Sequence, residues 1–153
     1  MTLTTDDRLD LLDTVRRLFR STDRRTWDAL HDVFADEVRL DYTSLAGGEP
    51  ATLAPADIIA GWRAALSGLD ATQHLVSNEV IDGEGDEATV TAEFIATHLF
   101  ENRFGEPLWT LGGRYDIGLV RTADGWRIDS LTMTAVWASG NRDIMALAQE
   151  APS

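Results

Sequence analysis

The first part of the chain carries apolar residues at helical spacing. In RLDLLDTVRRLFR, apolar positions recur every three or four residues from Leu11 to Phe19, with charged residues between them. A second apolar stripe runs through STDRRTWDALHDVF, whose polar STD group supplies candidate N-caps for a second helix. Next come EVRLDYTSL, which indicates a short strand, and AGGEPATLAP, which indicates a loop. A third helix is predicted from Pro55 to the residue before Gly68.

From Asp70 onward the pattern changes to that of strands. Four segments with strand-like character follow one another: TQHLVSNEVI, EATVTAEFIATHLFE, LWTLGGRYDIGLVR and GWRIDSLTMTAVW. The turn signals DGEGDE, FGEP and TADG separate them, as in consecutive antiparallel hairpins. A short helix is expected from Asn141, and the tail EAPS is expected to be frayed. Helices followed by a long sheet predict an α+β fold, with the helices covering one face of a curved, mostly antiparallel sheet.

Length and charge narrow the class of protein. The 153 residues fit a single domain spanning 1–153, and the formal net charge is -13. Such a charge argues against binding to nucleic acid and to anionic membranes. The chain contains no cysteine, which excludes disulfides and thiol nucleophiles. The first ten residues do not resemble a signal peptide and no apolar run approaches a membrane span, so a cytoplasmic location is expected.

Two of the three histidines fall within predicted strands. Side chains alternate across a strand, so His98 shares a face with the apolar Phe94 and is expected to point inward. His74 has a mixed set of neighbours, and its direction is less clear from the pattern. A single histidine of this kind is usually a hydrogen-bonded core residue, but two on neighbouring strands indicate an active site. His31, on the second predicted helix, is expected at the surface.

Other candidate residues each have an ordinary structural interpretation. Tyr42 is either a residue at the edge of the core or a phenol that donates to a substrate carbonyl. Asp23 precedes the second helix and is a good N-cap. Arg114 and Asp116 share one strand face as an ion pair, which needs a functional reason if it points inside the sheet. No metal-ligand spacing, phosphate loop, nucleophile elbow or dinucleotide motif is present, so chemistry without metal or cofactor is expected.

Seven short motifs follow one another between Leu9 and Asn141, in the order DRRTW, LDYTSL, TQH, ATH, GGRYD, DGWRI and VWASGN. Together they resemble the scytalone dehydratase and SnoaL-like polyketide cyclase branch of the nuclear transport factor 2-like superfamily. The resemblance implies a cone-shaped α+β barrel, with helices packed on a strongly bent sheet around an enclosed pocket for a small molecule. It also implies a homodimer or homotrimer.

The resemblance to the dehydratase implies roles for individual residues. Its histidine pair falls on His74 and His98, its carboxylate at the start of the second helix falls on Asp23, and one of its two tyrosines falls on Tyr42. The second tyrosine falls near Thr22, which cannot replace a phenol.

The residues that help hold the dehydratase's substrate fall near Arg114 and Asp116. These are larger and charged, so the dehydratase's own substrate is not implied, and the pair is expected to line the pocket and select another. Trp62 and Trp137 are further candidates for pocket walls.

The sequence and the resemblance together predict a cofactor-independent dehydratase, cyclase or isomerase acting on a small cyclic carbonyl compound, such as one derived from a polyketide. Two alternatives stay open. One is an epoxide-opening enzyme using Arg114 and Asp116, because Arg-x-Asp resembles part of the limonene-epoxide hydrolase site. Its second aspartate would have to come from around Thr132–Thr134, where no acid occurs, and Asp129 is too early. The other alternative is a module that binds a small molecule without turnover.

Overall fold

The computed structural model describes residues 1–151 and contains four α-helices, one 3₁₀ helix and six strands in that range. The prediction of a frayed tail extends to residues 152 and 153, which lie outside the described residues. The helices are α1 (Thr5–Arg24), α2 (Thr43–Ala46), α3 (Pro55–Leu66) and α4 (Ile144–Glu150), and the 3₁₀ helix spans Trp27–Asp32. The strands are β1 (Phe34–Asp41), β2 (Ala51–Leu53), β3 (Ala71–Glu84), β4 (Glu87–Leu99), β5 (Leu108–Thr122) and β6 (Gly125–Gly140). No helix among the described residues is long and apolar enough to cross a membrane.

Helix α1 begins with a reciprocal cap and continues further than predicted. The Thr4 hydroxyl accepts a hydrogen bond from the backbone N–H of Asp7, and the Asp7 carboxylate accepts one from the N–H of Thr4. The helix runs on through the STD residues, which form its final turns and do not cap a second helix. The predicted second helix is replaced by the 3₁₀ helix, so this prediction was wrong.

Helix α1 continues through the STD residues because it ends only at Arg25, which adopts the left-handed conformation with φ of 58°. Its guanidinium donates hydrogen bonds to three backbone carbonyl oxygens. One belongs to Leu66, the last residue of α3, and the others belong to Ser67 and Leu69 just beyond it. A positive φ is unfavourable for a residue with a side chain. These contacts to the end of a distant helix therefore fix where α1 stops.

The six strands form one open sheet with the order β2-β1-β6-β5-β4-β3. All neighbours are antiparallel except β1 and β6, which are parallel. The predicted α+β fold with a mostly antiparallel sheet is confirmed, although the sheet does not close into a barrel. Register shifts disturb the hydrogen-bond ladder of the sheet, as bulges that bend strands do. One shift lies in β3 near Asn78, whose φ is 56°, and another lies beside Gly112 in the pairing of β5 with β6.

Two local predictions differ from the structure at the end of β1. The strand predicted over EVRLDYTSL ends at Asp41, and the next residue, Tyr42, precedes the short helix α2. The Asp41 carboxylate accepts hydrogen bonds from the backbone N–H and the hydroxyl of Thr43, which starts that helix. The predicted loop after it contains the short edge strand β2.

The inner face of the sheet carries the core, and α1 and α3 cover it. Along β4 and β5, buried and more exposed residues alternate, as expected for a sheet covered on one face. The inner set on β4 and β5 is Val90, Ala92, Phe94, Ala96, His98, Trp109, Leu111, Tyr115, Ile117 and Leu119. Residues Arg114 and Asp116 belong to the opposite, exposed set.

Candidate active site

A cavity of about 220 Å³ lies between the inner face of the sheet and helices α1, α3 and α4. Most of its wall is apolar or aromatic. Five of its lining residues carry a hydroxyl or an imidazole group, namely Thr22, Tyr42, His74, His98 and Tyr115. Larger depressions occur on the surface, but solvated charged side chains line much of them. An apolar cavity with a few converging polar groups is the usual form of a small-molecule site.

Asp23 and His74 form a hydrogen-bonded pair at this cavity. Asp23 lies in the last turn of α1, and its Oδ1 is 2.7 Å from Nδ1 of His74 on β3. The same carboxylate accepts the backbone N–H of His74 at 2.7 Å and the hydroxyl of Thr72 at 3.0 Å. Burial raises the pKa of Asp23, but the hydrogen bonds and charge of His74 outweigh it, and the pKa lies below its ordinary value. Asp23 is therefore an anion that holds the imidazole and is not an N-cap.

The hydrogen bond to Asp23 sets the tautomer of His74. A carboxylate anion can only accept, so Nδ1 carries the proton and Nε2 has a free lone pair when the ring is neutral. If Nε2 takes up a proton, the carboxylate beside the ring stabilises the resulting imidazolium. This is the arrangement that makes a histidine an effective general base.

His98 is held in a different state. Its side chain points inward as predicted and is 5% exposed, and its Nδ1 lies 3.1 Å from the backbone carbonyl oxygen of Trp109. A carbonyl oxygen can only accept, so Nδ1 again carries the proton. Burial lowers the pKa of His98, the backbone contact opposes that shift, and nearby His74 lowers it further. The two imidazole centroids are 6.5 Å apart, close enough to act on one small ligand.

Two tyrosines supply the phenols of the site. Tyr42 reaches the cavity from the end of β1, and Tyr115 reaches it from β5. Burial is the main cause that raises the pKa of both phenols, and each phenol also influences the pKa of the other. Both therefore remain protonated donors at neutral pH. Phe19 and Phe94 hold the Tyr115 ring, at centroid distances of 4.9 and 4.4 Å.

Tyr115 is the site residue that the sequence interpretation missed. The signal was present, because Tyr115 shares its strand face with Leu111, Ile117 and Leu119, which are all apolar. The interpretation instead directed the neighbouring charged residues inward. An apolar set on one face of a strand is stronger evidence for burial than a charged pair on the other.

Three residues predicted to line the pocket lie outside it. Arg114 and Asp116 are exposed on the outer face of the sheet, because Tyr115 between them points inward. Trp137 is also on the outer face, 47% exposed, and its indole lies against Gly112. These pocket assignments were wrong. Trp62 does line the cavity, where its ring contacts those of Phe34 and Tyr42.

The resemblance implies that the second tyrosine of the dehydratase corresponds to a position near Thr22. Thr22 lines the cavity, but its hydroxyl donates to the backbone carbonyl oxygen of Leu18 at 2.8 Å. Tyr115 therefore provides the second phenol from another element. Within residues 1–151, no cluster of three or more histidine or acidic side chains is arranged to hold a metal ion.

The buried state of His98 has a consequence for the stability of the protein at low pH. Its folded pKa lies below the ordinary value of 6.5, so between these two pKa values the unfolded chain binds more protons than the folded one. The free energy of unfolding should therefore fall as the pH is lowered from about 6.5 through this window, by at most about 1.4 kcal/mol per pH unit for one proton. Urea unfolding between pH 7.5 and 5 measures the free energy of unfolding of wild type and of His98→Gln. This free energy should decline less steeply with falling pH in His98→Gln than in wild type.

The matched control is His31→Gln, which changes an exposed histidine on the 3₁₀ helix. It should keep the pH dependence of the wild type. An identical decline in wild type and His98→Gln would contradict the assignment of a neutral, buried His98.

Comparison with known proteins agrees with this architecture. A SnoaL-like domain matches residues 4–132. A protein of known structure from Kribbella flavida, Kfla4162, is 30% identical, with 94% of this chain and 97% of that chain covered and a TM-score of 0.86. A proposed aromatic ring hydroxylase from Novosphingobium aromaticivorans is 26% identical, with coverage of 94% and 99% and a TM-score of 0.80.

A proposed scytalone dehydratase, also from Novosphingobium aromaticivorans, is 20% identical, with coverage of 91% and 93% and a TM-score of 0.71. That likeness shows the fold alone. No curated protein matches the chain at a significant level. The match over residues 4–132 covers most of the sequence, and the open, curved sheet with helices on its inner face is that of the nuclear transport factor 2-like cone. The chain belongs to the SnoaL-like domain family.

Proposed function

We propose that the chain is a cofactor-independent acid–base enzyme that removes a proton from a carbon next to a carbonyl group. The observation that carries this proposal is the 2.7 Å contact between Asp23 and Nδ1 of His74 at the wall of an apolar cavity. Dehydration, isomerisation and ring closure can all follow from such a proton transfer. Family membership supports a reaction of this group, since the SnoaL-like relatives include cyclases, dehydratases and isomerases.

The proposed reaction begins at His74. Its Nε2 takes the proton, the C–H electron pair moves into an enolate, and Asp23 stabilises the imidazolium that forms. The phenols of Tyr42 and Tyr115 donate hydrogen bonds to the developing enolate oxygen. In a dehydration, the enolate electrons expel the β-hydroxyl group, which leaves as water with the proton returned by His74. His98 accepts a hydrogen bond from that hydroxyl through Nε2 and orients it.

The cavity indicates the kind of substrate. None of the side chains that line it is arginine, lysine, aspartate or glutamate, so nothing there favours a carboxylate or phosphate ligand. Its 220 Å³ is smaller than the roughly 300–1,000 Å³ of pockets for drug-sized ligands. Aromatic side chains form much of its wall. We therefore propose a small, uncharged, cyclic carbonyl compound, such as a polyketide-derived ring.

Proton exchange provides a direct test that does not need the natural substrate. The enzyme is incubated in D₂O with 1-tetralone, its 3-hydroxy derivative or cyclohexanone, and loss of the α-proton signal is followed by NMR. Wild type is expected to exchange the α-proton of at least one ketone, and His74→Gln should exchange at the background rate. His31→Gln is the matched control and should behave as wild type. A wild type that binds one or more of these ketones but exchanges the α-proton of none would contradict the proposal.

That last outcome would favour the second candidate, a module that binds without turnover, which an apolar cavity alone would also support. His98→Phe separates the two further. A binding module should tolerate this change with altered affinity only, whereas the proposed enzyme should still bind the ligand and lose turnover.

The exposed positions of Arg114 and Asp116 lead to a prediction about the epoxide-opening alternative. Because Asp116 lies on the outer face, Asp116→Asn is expected to leave kcat and KM within about twofold of wild type, as for most surface substitutions. Steady-state kinetics on any turned-over ketone measures this. A large loss of kcat in Asp116→Asn would contradict the placement of the reaction at His74.

A further inference from the structure

Arg25 ends α1 at a backbone position that glycine would occupy at lower cost. Its φ of 58° lies in the left-handed region, where a Cβ atom crowds the backbone, and many helices end on glycine for this reason. A strained residue persists only where its surroundings hold it in place, and such residues are concentrated at functional sites. The side chain of Arg25 therefore contributes something that glycine could not.

The guanidinium of Arg25 joins the end of α1 to the segment that leads into β3. It donates hydrogen bonds to the carbonyl oxygens of Leu66 and Ser67, at 3.4 and 3.3 Å, and to that of Leu69. A planar guanidinium presents several N–H donors in fixed directions, so one side chain can hold three acceptors at once. Strand β3 begins two residues after Leu69.

The acceptor segment, residues 66–69, is itself held by packing on two sides. Leu69 is only 2% exposed and belongs to the core. Gly68 lies so close to α4 that a Cβ atom there would be 2.0 Å from the carbonyl oxygen of Ala148. Arg25 therefore connects the end of α1 to a part of the structure that has little freedom to move.

The pair of Asp23 and His74 lies beside this connection. Asp23 is two residues before Arg25, and His74 is five residues after Leu69. The 2.7 Å hydrogen bond between Asp23 and His74 and the hydrogen bond from Arg25 to Leu69 therefore join the same two stretches of chain. Two connections a few residues apart restrict both the distance and the angle between these stretches, whereas a single hydrogen bond would leave the angle free.

We propose that Arg25 is a positioning residue, which holds the Asp23 carboxylate where it keeps the proton of His74 on Nδ1. This inference rests on the proposed function, in which His74 is the base. Within residues 1–151, the lining of the cavity does not include Arg25, so its effect passes through Asp23. Misplacement of a reacting group by about 1 Å can lower a rate by about 10²-fold. The hold on α1 should therefore be visible in the kinetics.

The tautomer of His74 reports the positioning directly, because a displaced carboxylate no longer favours a proton on Nδ1. Two-bond ¹H–¹⁵N spectra of protein labelled with ¹⁵N-histidine distinguish the two neutral tautomers at alkaline pH, where imidazole is uncharged. The chain has only three histidines, and comparison with His74→Gln identifies the signals of that ring. Wild type is expected to carry the proton on Nδ1, and Arg25→Gly should shift part of the population to Nε2.

Two variants at this position separate positioning from stability. Arg25→Gly removes the guanidinium and also the backbone strain, whereas Arg25→Ala removes the guanidinium and keeps the strain. The glycine variant should therefore have the higher melting temperature. Both variants are nevertheless expected to lower kcat for ketone exchange by at least about tenfold, with a smaller change in KM. A purely structural role would follow the melting temperature and spare Arg25→Gly.

Arg24→Ala is the matched control, because Arg24 is the exposed last residue of α1 and receives the same change. It should keep the tautomer and the kcat of the wild type. The proposal is overturned if His74 in Arg25→Gly keeps its proton on Nδ1, or if Arg24→Ala shifts the tautomer as much as Arg25→Ala does. A wild type with the proton on Nε2 would overturn the proposed function itself. Because the tautomer is read without turnover, the two failures are distinguishable.

Discussion

If the proposed reaction is correct, replacing Asp23 with asparagine is expected to lower kcat/KM by about 10³–10⁴-fold, as loss of the equivalent carboxylate does in enzymes that use histidine as the general base. In the proposed reaction, the Asp23 carboxylate, 2.7 Å from Nδ1 of His74, fixes the proton on that nitrogen and stabilises the imidazolium formed at Nε2. An amide in its place has no charge and can present an N–H to the ring, which favours the wrong tautomer. Kinetics with an exchanging ketone, together with a ligand-binding measurement, should show lost turnover and nearly unchanged affinity.

Thr72→Val is the control for this prediction. The Thr72 hydroxyl donates to the same carboxylate oxygen that binds His74, and the side chain is buried. Its loss removes one neutral donor and leaves the ion in place, so a decrease of less than about tenfold is expected. If kcat/KM of Asp23→Asn stays within tenfold of wild type while the melting temperature falls, the role of Asp23 is to connect α1 to β3. The proposed mechanism would then be wrong.

The second large effect is expected at the two phenols. Tyr42→Phe or Tyr115→Phe should each lower kcat by about 10²–10³-fold, the usual effect of removing one donor to a developing oxyanion. Because both phenols line one cavity and each influences the pKa of the other, they should act as one unit. The double variant should then be little worse than either single variant, and a double-mutant cycle of kcat measures this coupling.

Trp62→Phe is the matched control for the phenols, since it changes another aromatic ring of the cavity wall that has no role in the proposed reaction. It is expected to change KM more than kcat. If the effects of Tyr42→Phe and Tyr115→Phe simply add, the two phenols act on separate atoms of the ligand. If neither variant lowers kcat more than Trp62→Phe does, the phenols serve only as cavity walls and the oxyanion assignment is wrong.

Much of the sheet and the direction of His98 could be predicted from the sequence, because alternation along a strand is a local property. The apolar set on β4 that includes Phe94 and Ala96 places His98 inward without any knowledge of its neighbours. The end of α1 is different. It depends on hydrogen bonds from Arg25 to the backbone near Leu69, and nothing in the residues around Arg25 indicates that contact.

The contact between Asp23 and His74 joins residues that are 51 positions apart. Resemblance to a family suggested the pair, but the sequence pattern around Asp23 suggested an N-cap, because local pattern does not register distant partners. On β5, the alternation pointed to Tyr115, and the error came from giving the charged Arg114 and Asp116 more weight than the apolar face. The apolar pattern of a strand face predicts which side chains point inward more reliably than the catalytic potential of a residue type does.

The strand order has a consequence for how the protein folds. Strands β3 to β6 form a meander whose neighbours follow one another along the chain, whereas β1 pairs Phe34 with Ile128 of β6. Closing so long a loop is slow compared with forming successive hairpins. His74 and His98 lie on the meander, whereas Asp23 lies in α1 and Tyr42 directly follows β1. During refolding, the capacity to bind a ligand should therefore emerge last, after most of the β-structure has formed.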